Sequence, residues 1–117
     1  MKAKSLSEDA DALLARAQAI TTVLSEKREE LGISIEVEAL LRAGIEATTY
    51  ATDRYVALLA GAKKSRVAMG YVAEAKAKCN RSISQLRRRV NRAVAELSRL
   101  MSYREARKAA RYISRSA

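Results

Sequence analysis

The stretch Val72-Ala-Glu-Ala-Lys-Ala-Lys-Cys-Asn-Arg-Ser-Ile-Ser-Gln-Leu-Arg-Arg-Arg-Val-Asn-Arg-Ala-Val-Ala-Glu-Leu-Ser-Arg-Leu100 decides the fold. Starting from Met69, apolar or small residues recur at Val72, Cys79, Ile83, Leu86, Val90, Ala93, Leu97 and Leu100 in steps of three and four, with Lys76 filling the remaining step. That spacing predicts one long amphipathic helix with a heptad-like seam. Two positions interrupt the seam: Lys76 is charged and Cys79 is small. A helix over 66–101 would be roughly 54 Å long at ~1.5 Å per residue. It would outrun its neighbours in the chain, so Val72, Ile83, Leu86, Val90, Leu97 and Leu100 are expected to form a seam with another copy. Lys76, lying on that seam, is expected to pair with Glu74 or with an acid from the earlier helices.

Two helices are expected upstream. Ser5-Leu-Ser-Glu8 reads as a capping box, and Glu8, Asp9 and Asp11 suit the positive end of a helix dipole. Ala10, Leu13, Leu14, Ala17, Ile20, Leu24 and Leu31 then share one face, and Gly32 follows as a C-terminal cap. A second helix is expected to start at Ser34, with Glu36 and Glu38 in its first turn. Ile33, Ile35 and Val37 alternate as in a strand, but spacing of three and four continues beyond them. The second apolar face runs Val37, Leu40, Leu41, Ile45, Thr48, Ala51, Tyr55, Leu58 and Leu59. Small residues beside it, among them Gly44 and Ala47, would admit a close neighbour. A boundary falls at Gly61-Ala-Lys-Lys-Ser65. A second capping box, Ser102-Tyr-Arg-Glu105, begins a short basic helix over 103–114.

The charges are divided along the chain. Residues 1–62 hold seven Lys or Arg and ten Asp or Glu, while residues 63–117 hold sixteen against three. An asymmetry of this size points to an anionic partner for the basic half. Opposite the seam, Lys78, Arg81, Gln85, Arg88, Arg92 and Arg99 recur by three, four or seven. They form a row ~32 Å long on a straight helix. A charged face opposite an apolar seam is ordinarily just solvated, but such faces mix signs and pair Glu with Lys. Between Lys76 and Lys108 the only acids are Glu96 and Glu105. Arg predominates here, and its fork matches phosphate oxygens. Arg104, Arg107, Lys108 and Arg111 of the last segment would extend the same surface.

Composition excludes other classes. The chain has 117 residues, 49% hydrophobic and 31% charged, with net charge +10, no His, Pro, Trp or Phe, and one Cys. Without His, zinc sites and His-based acid–base catalysis have no basis, and Cys79 has no His to activate it. There is no glycine-rich phosphate loop. A lone Cys closes no intrachain disulfide. No apolar run approaches the ~18 residues of a membrane span, and the opening residues lack the apolar core of a signal peptide. Of the five tyrosines, Tyr103 and Tyr112 lie among arginines and could meet bases, but they fall on opposite sides of a helix.

Leu31-Gly-Ile-Ser34 resembles the junction inside helix-turn-helix and ribbon-helix-helix domains. It departs from the first at Arg28, where a small residue is wanted, and through Glu36, Glu38 and Glu46, which would repel phosphates. It lacks the strand that the second requires. Asn80-Arg-Ser-Ile-Ser-Gln-Leu-Arg-Arg-Arg-Val-Asn91 is similar to the Asn- and Gln-rich segment of accessory proteins in plasmid mobilisation, a likeness that implies DNA binding. Both are short, and neither assigns a family.

The expectation is a single all-α domain over 1–117: three long helices and a short basic one, in a bundle or extended helical hairpin, self-associating. No enzyme activity, metal or cofactor is expected. The leading function is sequence-independent nucleic-acid binding through Lys78, Arg81, Arg88, Arg92, Arg99, Arg104, Arg107, Lys108 and Arg111. The alternative is a structural or assembly subunit, with the basic half of one copy on the acidic half of the next or on packaged nucleic acid. A third reading is a regulator docked on an acidic protein. The expected location is the cytoplasm or the inside of an assembly such as a virion.

Overall fold

A computed structural model describes residues 5–61 and 66–101, together with 107, 108, 110 and 111. Three α-helices follow one another: α1 (Leu6–Leu31), α2 (Ile35–Gly61) and α3 (Arg66–Leu100). No strand occurs among the described residues.

Local chemistry sets the helix ends. The Ser5 side chain accepts a hydrogen bond from the Glu8 amide at 3.2 Å, satisfying one free donor at the start of α1. Gly32 ends that helix with φ +66°, a left-handed conformation that costs glycine little, and the Ile33 amide returns to the Arg28 carbonyl. Ser34 then caps α2 by accepting from the Glu36 amide at 3.2 Å. The Ile33–Ile35 alternation thus resolves into a turn and a helix start, with Ile33 buried and Ile35 exposed.

The chain runs up, down and up, and each helix touches the other two. The most extensive contact joins α2 to α3. Its antiparallel register is a ladder. Leu40 lies beside Arg89, Gly44 beside Leu86, Thr48 beside Ser82 and Thr52 beside Cys79. At Gly44 the absence of a side chain leaves room for Leu86 and Arg89 of α3. A methyl group there would lie 3.0 Å from Leu86 Cδ1. The Thr48 hydroxyl donates to the Ser82 carbonyl at 3.3 Å, giving a buried polar group a partner across the pair.

One apolar cluster joins Ala10, Leu13, Ala17, Ile20 and Leu24 of α1 with Leu41 of α2 and Cys79, Ile83, Leu86, Val90, Ala93 and Leu97 of α3. The molecule measures 56 × 33 × 16 Å, its length set by the 35 residues of α3. Its radius of gyration is 16.8 Å, against about 13 Å for a compact domain of this size.

The buried line of α3 differs from the expected seam at its N-terminal end. Ala75 is buried where Lys76 was expected, and both Lys76 and Met69 are exposed. A straight helix has a period of 3.6 residues, so a heptad pattern extended back from Cys79 drifts off the core. The observed line runs Val72, Ala75, Cys79, Ile83, Leu86, Val90, Ala93, Leu97. Consecutive steps of four at 75, 79 and 83 absorb the drift. Glu74 pairs with Lys78 and not with Lys76. Val72, Ile83, Leu86, Val90 and Leu97 are buried within this single chain, and Leu100 is half-buried. The position that spacing assigned to a second copy is therefore occupied by the chain's own α1 and α2. On α2, Leu40 and Leu59, both expected on the apolar face, lie exposed.

Candidate nucleic-acid interface

Because its apolar line is covered by α1 and α2, α3 turns its other side outward. Lys78, Arg81, Arg88, Arg92 and Arg99 are all exposed. The two ends of this row are compensated. Lys78 Nζ lies 3.3 Å from a Glu74 oxygen, and Arg99 donates to Glu96 at 2.8 Å. The Glu96 hydrogen bond and charge hold the Arg99 guanidinium above its usual pKa. Arg81, Arg88 and Arg92, in the middle, have no carboxylate partner among the described residues. Arg88 folds back weakly on the Ser84 carbonyl at 3.5 Å. Net positive charge is therefore concentrated over the central three turns of α3.

Arg89 has a different role. Its guanidinium donates to the Leu40 carbonyl at 3.0 Å and stands beside Gly44. It is a strut between α3 and α2, next in sequence to an arginine that faces water.

The row borders a groove. Between α2 and α3 lies an open depression of about 440 Å³, lined by Ala47, Tyr50, Ala51, Arg54, Ala75, Lys78, Arg81, Ser82 and Gln85. Alanines at three of these positions leave it unfilled. A second depression of about 330 Å³ is lined by Asn80, Arg81, Ser84, Gln85 and Arg88. The two share Arg81 and Gln85 as walls. By contrast, the groove between α1 and α2 sets Arg42 against Glu46 and has no single sign.

Tyr50 and Arg54 are the residues that sequence reasoning missed. They lie one turn apart on α2, in the half of the chain whose overall charge is negative. Tyr50 is 69% exposed, an unusual amount for a large aromatic residue. The available signal was its phase, off the Thr48–Ala51–Tyr55 face.

Of the expected C-terminal contacts, Arg107, Lys108 and Arg111 are exposed. Arg104 and most of the helix expected over 103–114, including Tyr103 and Tyr112, lie outside the described residues. Cys79 is fully buried, its sulfur 3.4 Å from the Thr52 hydroxyl. Among the described residues no three metal-ligating side chains converge, and no helix is long and apolar enough to cross a membrane. Comparison with models of known families, with curated proteins and with solved structures finds no match to this chain.

Proposed function

We propose that the protein binds nucleic acid without enzymatic activity, contacting the phosphate backbone through the outward face of α3. The observation that carries this reading is the central cluster Arg81, Arg88 and Arg92. These residues are exposed, lie on one helix face and lack acidic partners among the described residues. Lys78 and Arg99 extend the face at its ends, each able to exchange a carboxylate for a phosphate. Guanidinium groups bind phosphate oxygens in pairs, and an ordered row fixes orientation without reading base edges.

The test is the salt dependence of oligonucleotide binding, followed by fluorescence anisotropy. About five phosphate contacts give a log–log slope of about −4. Changing Arg81, Arg88 or Arg92 to Gln should flatten the slope by about one each and weaken all sequences alike. Arg16→Gln, on α1, is the control and should change little. Equal losses from Arg16 and from the α3 arginines would reduce the effect to diffuse attraction by a +10 protein and overturn the reading.

A further inference from the structure

We propose that the α2–α3 groove takes an unpaired nucleotide of a single-stranded nucleic acid, its base stacked on Tyr50 and its flanking phosphates on Arg54, Lys78 and Arg81. This rests on the reading that the outward face of α3 meets phosphates, and it names the form of nucleic acid that face is built for.

Three observations converge. The first is Tyr50 itself, 69% exposed in the wall of a groove that also holds Arg54, Lys78 and Arg81. An open aromatic ring among cations is a platform for base stacking. A duplex cannot use it, because its base faces are already stacked on the neighbouring pairs and only base edges show in its grooves. The second is the straightness of the row. Over ~32 Å of α3, close to the length of one duplex turn, each strand of a duplex winds fully around its axis. A straight row therefore meets duplex phosphates only where they cross it, whereas a single strand can straighten and follow it. The third is adjacency. The two depressions share Arg81 and Gln85 as walls, and no acidic side chain lines either of them. The alanine floor leaves about 440 Å³, within the range of small-ligand sites, and Ser82 and Gln85 offer hydrogen bonds that tolerate any base.

The experiment titrates the full chain with a fluorescent oligodeoxyuridylate, an oligouridylate and a duplex, all of one length, at fixed salt. The single strands should bind more tightly than the duplex. Tyr50→Ala should weaken single-strand binding on the order of tenfold while leaving duplex binding within about twofold. Tyr50→Phe should retain wild-type affinity. Because the chain has no Trp, Tyr50→Trp gives a single reporter. Its emission should be quenched by a single strand and left unchanged by an abasic strand of equal charge. The tighter-binding sugar identifies the source of the strand. If Tyr50→Ala leaves single-strand affinity unchanged while the α3 arginines still set the salt slope, the groove inference is overturned and the phosphate reading stands. If no oligomer binds at ~50 mM salt, both fall.

Discussion

Arg89 donates to the carbonyl oxygen of Leu40, 3.0 Å away, and so ties the middle of α3 to the first turns of α2. Its neighbour Arg88 is exposed and reaches only the Ser84 carbonyl of its own helix. Two adjacent arginines should therefore separate in their effects. Arg89→Gln should cost about 1 kcal/mol of stability, the ordinary net contribution of such a hydrogen bond, and leave the salt slope of binding unchanged. Arg88→Gln should keep stability within about 0.5 kcal/mol and flatten the slope by about one. Urea unfolding read beside binding isotherms checks both, and a reversal would exchange the assigned roles.

Glu38 is buried where α1 meets α2 and accepts from Arg28 and, at 3.2 Å, from Arg42. Arg28 is the better shielded of the two cations. Removing it leaves a buried carboxylate with a solvent-screened partner only. Arg28→Ala should cost about 1–2 kcal/mol after allowance for screening, and Arg42→Ala less than about 1. Thermal melts of the two variants should preserve that order.

Two helical glycines should respond oppositely to alanine. At Gly44 the new methyl would meet Leu86 at 3.0 Å and the Arg89 side chain at 3.2 Å. The packing cost, about 1–3 kcal/mol, should exceed the gain in helix propensity, so Gly44→Ala should destabilise the fold. At Gly70 nothing lies within 4 Å, and alanine should stabilise by about 0.5–1 kcal/mol. Changes of the same sign in a denaturant series would contradict the close approach at Gly44.

The phase of α3 can be tested at adjacent positions. Lys76 is exposed, so Lys76→Ala should alter stability by no more than about 0.5 kcal/mol. Ala75 is 3% exposed, and Ala75→Asp, whose carboxylate would be partly desolvated by the α2–α3 packing, should cost about 1–3 kcal/mol. Similar effects at the two sites in circular-dichroism melts would show the heptad phase to be the true one.

The helices were legible because their signals are local. Ser5, Gly32 and Ser34 act on amides within five residues of themselves, and the 3.6-residue repeat marks the faces. What stayed hidden depends on partners distant in sequence. Glu38 read as a dipole residue in a first turn, since nothing nearby announces Arg28 ten residues earlier. Arg89 stands in the run Arg87-Arg88-Arg89, and nothing nearby announces an acceptor 49 residues away. Lys76 was misplaced because heptad and helical periods diverge slowly, and only the position of α2 decides between them. Tyr50 was passed over because its interest lies in what surrounds it: an arginine one turn on and two cations from another helix. The basic row itself was readable, since charge opposite a seam needs only one helix to define it.

The ladder from Leu40–Arg89 to Thr52–Cys79 also bears on how the chain folds. Its rungs lie between helices joined by four residues, 62–65, so closing this hairpin sacrifices little chain entropy. A slip of one turn would bring a threonine or leucine to the place where Gly44 leaves Leu86 its room, which disfavours misregistered pairs. Contacts dominated by neighbouring helices characterise chains that fold in microseconds to milliseconds. The α1–α2 pair, joined by the three residues 32–34, closes at a similar cost, so what sets the α2–α3 pair apart is the register its rungs impose.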